Sequence, residues 1–166
     1  MATTIRTLTA DDAEIYNELR LRALTEFPAA FGMSVEEMPS VEVMRTRLAG
    51  ENSWIFGAFD GDQLVGMTGL HRIELEKMRH KAEIWGMFVA PEQQGLGLGK
   101  VLLQAAIDQA RSIPGIEQLL LTVAGYNQKA KNMYAALGFE AWGFEPRAVK
   151  LEGEYYDDVQ MCLMLK

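Results

Sequence analysis

Cysteine is almost missing from this chain. Cys162 is the single one in 166 residues, so no disulfide can close within it, and a thiol cluster for a metal is excluded. Cys162 lies in an apolar run, VQMCLML, where a buried core thiol is expected rather than a nucleophile. Histidine is scarce too. His71 and His80 are the only two, with no Cys/His grouping at ligand spacing, so a zinc enzyme or a Ser-His-Asp hydrolase has almost nothing to build on and no metal is expected. No apolar run approaches the ~18 residues of a membrane span. The opening MATTIRTLTADD lacks the basic-then-apolar layout of a secretory leader. The expectations are a cytoplasmic protein and no membrane partner. Positive charge is in deficit, 16 Lys and Arg against 23 Asp and Glu, which argues against nonspecific nucleic-acid binding. A cationic substrate suits a net charge of −7, although acidity also serves solubility alone. Repeats, low-complexity tracts and Pro/Gly/Ser linkers are missing, and the length suits one domain, 1–166.

The hydrophobic patterning divides the chain into eleven elements. IRTLT reads as a first strand. Thr9 and Asp12 form a capping-box-like start for a helix through DDAEIYNELRLRALTE, with Ile15, Leu19 and Ala23 on one face and Pro28 at its end. FPAAFGMSVEEMP is a loop, and Ser40 caps a second helix that stops at Gly50. SWIFGAF and QLVGMTGLHRIEL are strands joined by Asp60-Gly61-Asp62, a strong hairpin signal. AEIWGMFVA is a further long strand. KVLLQAAIDQARSI is a helix with Leu103, Ile107 and Ala110 at helical spacing, closed by Pro114-Gly115. QLLLTVA is a buried strand. Asn127 opens a last helix with Gly138 just past its end, and GFEPRAVKL and DVQMCLML finish the chain as strands. The order β-α-α-β-β-β-α-β-α-β-β predicts a mixed sheet with helices packed on it, an α/β or α+β domain.

The stretch PEQQGLGLGK, residues 91–100, places glycines at 95, 97 and 99 between an apolar strand and an amphipathic helix. A helix start offers unpaired backbone N–H groups and the positive end of the helix dipole. Without Cβ atoms an anion can reach those amides, and a phosphate or pyrophosphate is the fitting ligand. The two familiar phosphate loops do not match. The P-loop pattern fails because Gln94 and Val101 stand where it needs glycine and Ser/Thr, and the dinucleotide fingerprint meets Lys100 or Leu102 where its third glycine belongs.

Gln94-x-x-Gly97-x-Gly99 in this setting, with Asn127-x-x-Ala130-x-x-x-Tyr134 and then LGF at 137–139, resembles the GNAT superfamily of acyl-CoA-dependent N-acyltransferases. The two motifs cover about residues 82–140, and the element order agrees along the chain. The resemblance implies a mostly antiparallel sheet whose fourth and fifth strands splay apart, and acetyl-CoA as the acyl donor. It implies that Gln94, Gly95, Leu96, Gly97, Leu98, Gly99 and Lys100 hold the pyrophosphate. It also implies that backbone groups of Met87, Phe88 and Val89 run beside the pantetheine arm, that Asn127 contacts CoA near the splay, and that Tyr134 is the acid. Glu83 opens AEIWGMFV at the place of the catalytic glutamate in the histone-acetyltransferase branch and is the candidate base. A period of two would set Glu83, Trp85, Met87 and Val89 on one face.

Acyl transfer to an amine needs a neutral nucleophile, a donor for the oxyanion and a proton for the departing thiolate. A phenol with a pKa of ~10 still carries its proton at pH 7 and can offer it to the thiolate as the C–S bond breaks. For the acceptor, the final hairpin carries Glu152, Glu154, Asp157 and Asp158 around Tyr155 and Tyr156, a set that would attract a polyamine, lysine or aminoglycoside, or simply be solvated. Phe27, Phe31, Met33 and Met38 in the first long loop read as an apolar lid or as core. The leading expectation is an N-acetyltransferase of small-molecule amines acting by direct attack in a ternary complex. A protein or peptide acceptor, or a non-catalytic acyl-CoA sensor, stays open as an alternative. A homodimer would be in keeping with the family.

Overall fold

The computed structural model describes residues 2–166. Within them the elements are β1 (Thr3–Thr7), α1 (Ala13–Glu26), α2 (Val41–Leu48), β2 (Ser53–Asp60), β3 (Gln63–Arg72), β4 (Lys81–Val89), α3 (Leu98–Ser112), β5 (Gln118–Ala124), α4 (Gln128–Ala136), β6 (Glu140–Leu151) and β7 (Glu154–Met164). Their order is the one read from the sequence. Local chemistry explains most boundaries. Ser40 Oγ accepts from Val43 N–H at 3.2 Å to start α2. Gly61, at φ +61, turns β2 into β3. Gly138, at φ +100, follows α4 in the left-handed conformation that closes helices. Among the described residues no helix is long and apolar enough to cross a membrane.

The strands form one mixed sheet in the order β1-β2-β3-β4-β5-β7-β6. Every neighbouring pair is antiparallel except β4–β5. Each face buries its own core. On one face Leu102, Leu103, Ala106 and Ile107 of α3 and Tyr134 of α4 pack on Leu70, Ile84, Leu119 and Leu121. On the other, Tyr16, Leu19 and Ala23 of α1 and Met44 of α2 pack on Phe59, Met67 and Phe88. The periodicity of α3 at Leu103, Ile107 and Ala110 is met, all three being buried.

Four details differ from the sequence reading. The first strand ends at Thr7 rather than Thr9, because Thr9 N–H donates to Asp12 Oδ2 at 2.7 Å and is used to start the following turn. The buried stripe of α1 runs through Tyr16, Leu19, Arg20 and Ala23, with Ile15 only half-buried. β6 begins at Glu140, earlier than expected, and its pairing with β7 is irregular between Glu145 and Val149. Pro146 lies in that interval and has no N–H to give to a ladder. Arg147, at φ +54, instead donates its N–H to Asp157 Oδ1 at 2.8 Å. Cys162 is half-buried on β7, not fully in the core.

Asp12 anchors the entry to α1. It accepts two 2.8 Å hydrogen bonds from the Arg6 guanidinium as well as the Thr9 N–H bond. The Arg6 bonds, ahead of that from Thr9, hold its carboxyl below the usual carboxylate range. A depressed folded-state value stabilises the fold above the unfolded pKa of about 3.9, and that contribution is lost as pH falls below it. Asp12→Ala is therefore expected to lower unfolding free energy by about 1–2 kcal/mol at pH 7. The difference from wild type should shrink below about pH 4. Urea melts at pH 7 and pH 3 check this, and an equal difference at both would contradict it.

Candidate active site

β4 is where the sheet changes character. Met67 pairs with Phe88 and Gly69 with Trp85, so Gly86 and Met87 together face the single residue Thr68. This is a β-bulge, and Gly86 takes the left-handed conformation, φ +64, that such a bulge favours. The extra residue reverses the alternation. Trp85 and Phe88 lie toward the α1/α2 core, whereas Met87 and Val89 pack toward the α3/α4 core. The expected common face of Glu83, Trp85, Met87 and Val89 therefore does not exist. Glu83 pairs with His71 and is exposed. It is not among the residues lining either large cavity.

The same strand parts from its neighbour. β4 and β5 pair from Lys81–Gln118 to Glu83–Leu120 and no further, while β5 continues paired to β7 as far as Ala124–Asp158. Beyond Glu83 the β4 edge faces a cleft of about 760 Å³. Its walls include Gly86 to Val89 from β4, Thr122 to Ala124 from β5, and Ala130, Met133 and Tyr134 from α4. The glycine turn forms one end of it through Gln94, Gly95, Gly97, Leu98, Gly99 and Lys100.

This turn is built for backbone access. Gly95 and Gly97 have φ of +82 and +80, and a Cβ placed on either would meet nothing within 4 Å. Gly97 is the residue before the first turn of α3, which has no side-chain cap and no acidic residue. The first amides of α3 are thus left for an anion, with the helix dipole behind them. Gly99 does a different job, since a Cβ there would stand 3.0 Å from Met133 Sδ. It lets α3 and α4 pack closely beside the cleft. Gln94 Nε2 donates to Val89 O at 3.1 Å and ties the turn to the end of β4. Lys100 is exposed on the first turn of α3, and Leu96 points outward, away from the lining residues.

Asn127 caps α4, its Oδ1 accepting from Ala130 N–H at 3.1 Å, and it also lines the cleft. Tyr134 is 5% exposed, packs edge-on to Phe139 and reaches the cleft. Burial pushes its phenol up to about 12. The hydroxyl stays protonated through the physiological range and holds its proton until a stronger base appears.

The first long loop covers the cavities and also packs on the α1/α2 core through Phe31. Phe27 and Phe31 line the cleft, and Met33 lines a second cavity on the α1/α2 face. Met38 is half-buried and lines neither. The acidic hairpin is elsewhere: none of Glu152, Glu154, Asp157 or Asp158 lines either cavity, and Arg147 and Lys150 lie over the Tyr155 ring.

A sheet opened along one strand edge, with an uncapped glycine turn at the end of the gap, defines a binding domain for an extended anionic ligand. The model of the acetyltransferase (GNAT) family matches residues 16–139, and the chain belongs to that family. Its fold is that of a solved GNAT-family acetyltransferase from Streptococcus pneumoniae, at a TM-score of 0.91 and 23% identity, covering 99% of this chain and 100% of that one. A putative acetyltransferase from Salmonella typhimurium, determined with its cofactor acetyl-CoA, aligns at a TM-score of 0.88 and 20% identity over 100% of this chain and 95% of that one. Among curated proteins, a spermidine N(1)-acetyltransferase of Vibrio cholerae is 31% identical over 101 residues, 61% of this chain and 57% of that protein. The chain thus spans little more than half the length of that relative.

Proposed function

We propose that this protein is an N-acetyltransferase that moves an acetyl group from acetyl-CoA to the primary amine of a small molecule, by direct attack in a ternary complex. The observation that carries the reading is the glycine turn at the end of the β4–β5 gap. Its open Gly95 and Gly97 and uncapped helix start fit a pyrophosphate, and the cleft of about 760 Å³ beyond it runs between β4, β5 and α4. Bound there, acetyl-CoA supplies an activated acetyl group as a thioester. Gln94 to Lys100 hold the pyrophosphate, with Leu96 contributing backbone only. Met87, Phe88 and Val89 offer the main-chain groups left unpaired by β5, and one of their N–H groups serves the oxyanion. Asn127 contacts CoA where the strands part. Tyr134 gives its phenolic proton to the sulfur as the C–S bond breaks. Between free groups that transfer is uphill by roughly 1.5 pK units, so it is coupled to collapse of the tetrahedral intermediate, and the phenol, pushed up by burial, is there to carry the proton at neutral pH.

We assign the base to Glu83 acting through water. It shares the sheet face of Trp85 and is exposed to the solvent that would relay the proton. Glu83→Gln is expected to lower kcat about 100-fold at pH 7, with the loss shrinking as pH rises and the free amine forms unaided. A pH–rate profile parallel to that of wild type would remove Glu83 from this role.

A small acceptor rather than a protein is supported by the second cavity, about 430 Å³, next to the cleft and by the named activity of the Vibrio cholerae relative. Thiol release from acetyl-CoA, measured against polyamines, amino acids, aminoglycosides and short peptides, tests the proposal. Release dependent on one small amine is expected. Release dependent on peptides alone would replace the small acceptor by a protein. No release with any amine, while acetyl-CoA still binds, would turn the reading toward a sensor.

A further inference from the structure

Asn17 and Arg20 stand one turn apart on α1, and each carries a buried polar atom without a partner, Asn17 Oδ1 and Arg20 Nη1. Asn17 Nδ2 donates to Pro39 O at 3.0 Å, so its carbonyl oxygen is the free end. Arg20 is only 7% exposed, and among the described residues no carboxylate pairs with it. Its guanidinium lies instead over the rings of Phe31, at 5.0 Å, and Trp85, at 5.8 Å. An unpaired buried cation is costly, and an unmet acceptor beside it adds to the cost. Both are what an active site keeps for a ligand.

The two side chains line a cavity of about 430 Å³ between α1, α2 and strands β2 to β4. Arg47 and His71 line it too, whereas among the described residues no Asp or Glu does. Much of the rest is apolar, with Leu8, Met33, Met44, Leu48 and Trp54. The cavity adjoins the acetyl-CoA cleft, because Trp85 lines both. Gly69 makes room for that indole, since any Cβ there would overlap it. Gly86 of the bulge lines the cleft, and a Cβ on it would come 3.3 Å from Arg20 Nη1. The unpaired guanidinium N–H thus stands at the junction of the two spaces.

Resting on the acetyltransferase reading above, we propose that this cavity is the acceptor pocket and selects a carboxylate-bearing amine, an α-amino acid with an apolar side chain. The carboxylate pairs with Arg20, and an amine N–H donates to Asn17 Oδ1. An α-amine is one carbon from that carboxylate, so pairing at Arg20 keeps it beside the junction, where the thioester carbonyl arrives. A pocket of this size suits a ligand of that class. The nearby guanidinium also favours the neutral amine over the ammonium, as the attack requires. Overall acidity and the spermidine-acetylating relative point instead to a polycation. Distant surface charges are screened over ~8 Å at physiological salt, however, whereas a polyamine in this pocket would meet two guanidiniums and no carboxylate.

The test is thiol release with the twenty common L-amino acids, each beside its carboxamide, and with spermidine and putrescine, alongside calorimetric titration of acetyl-CoA. At least one apolar L-amino acid should be used with a kcat/KM ~30-fold or more above its carboxamide, the size of a charge-assisted pairing. Arg20→Met should collapse that ratio toward unity while acetyl-CoA affinity holds. Asn17→Asp, of nearly the same volume, should also depress amino-acid use by placing a carboxylate in the pocket. Equal use of acid and amide, faster turnover of the polyamines, or no amino-acid turnover by a protein that binds acetyl-CoA would each overturn the proposal. A wild-type protein that does not bind acetyl-CoA would overturn the cofactor reading beneath it, and this inference with it.

Discussion

Gly97→Asp is expected to abolish acetyl-CoA binding, weakening it at least ~100-fold. The residue stands directly before α3 with open space where a Cβ would be. An aspartate there would aim its carboxylate at the amides offered to the pyrophosphate and would repel the anion it displaces. Backbone strain at φ +80, about 1–3 kcal/mol for a non-glycine residue, falls on the free and bound protein alike and so lowers stability rather than affinity. Gly97→Ala separates the two, since it carries the strain without the charge and should retain most of the affinity. Calorimetric titration of both variants checks this. Wild-type affinity in Gly97→Asp would show that the turn holds no pyrophosphate.

Tyr134→Phe is expected to lower kcat by about 100-fold or more while leaving acetyl-CoA affinity within about twofold. The change deletes one oxygen and keeps the ring that packs against Phe139, so the core of α4 is preserved. Burial pushes the phenol up to about 12, so loss of its proton cannot limit the rate at neutral pH. The wild-type rate should climb with pH as the acceptor amine deprotonates, without an alkaline decline assignable to Tyr134 below about pH 11. Equal turnover in the variant would leave the thiolate to be protonated by solvent and would remove Tyr134 as the acid.

What the sequence made legible was carried by strong local signals. The apolar stripe of α3, the run QLLLTVA and the caps Ser40 and Asn127 each depend on a few neighbouring residues. The glycine turn between β4 and α3 was equally legible as a turn, whereas the pyrophosphate proposed for it came from Gln94-x-x-Gly97-x-Gly99 and its resemblance to a family, since glycines in a turn are common without a ligand. The β4 bulge was not foreseen. Gly86 alone hints at one, but whether a glycine in a strand adds a residue depends on the partner strand, and here the two-to-one count lies against Thr68 of β3. That single insertion reversed the side-chain alternation and separated Glu83 from Met87 and Val89. Arg20 was missed for a related reason. An arginine on a surface helix reads as solvated, and only the packing of α1 over Trp85 and under the following loop buries it. The hairpin acids drew attention by density of charge, yet Asp157 is taken up by the Arg147 N–H freed at the irregular stretch around Pro146.

The measurement that bears most directly on the glycine turn is a pair of calorimetric titrations, one with acetyl-CoA and one with S-acetylpantetheine, which has the same thioester arm but no pyrophosphate. Wild-type protein should bind acetyl-CoA at least ~100-fold more tightly, and Gly97→Asp should bind the two about equally. Equal affinity of the wild type for both ligands would contradict the assignment of residues 94–100 as the pyrophosphate site.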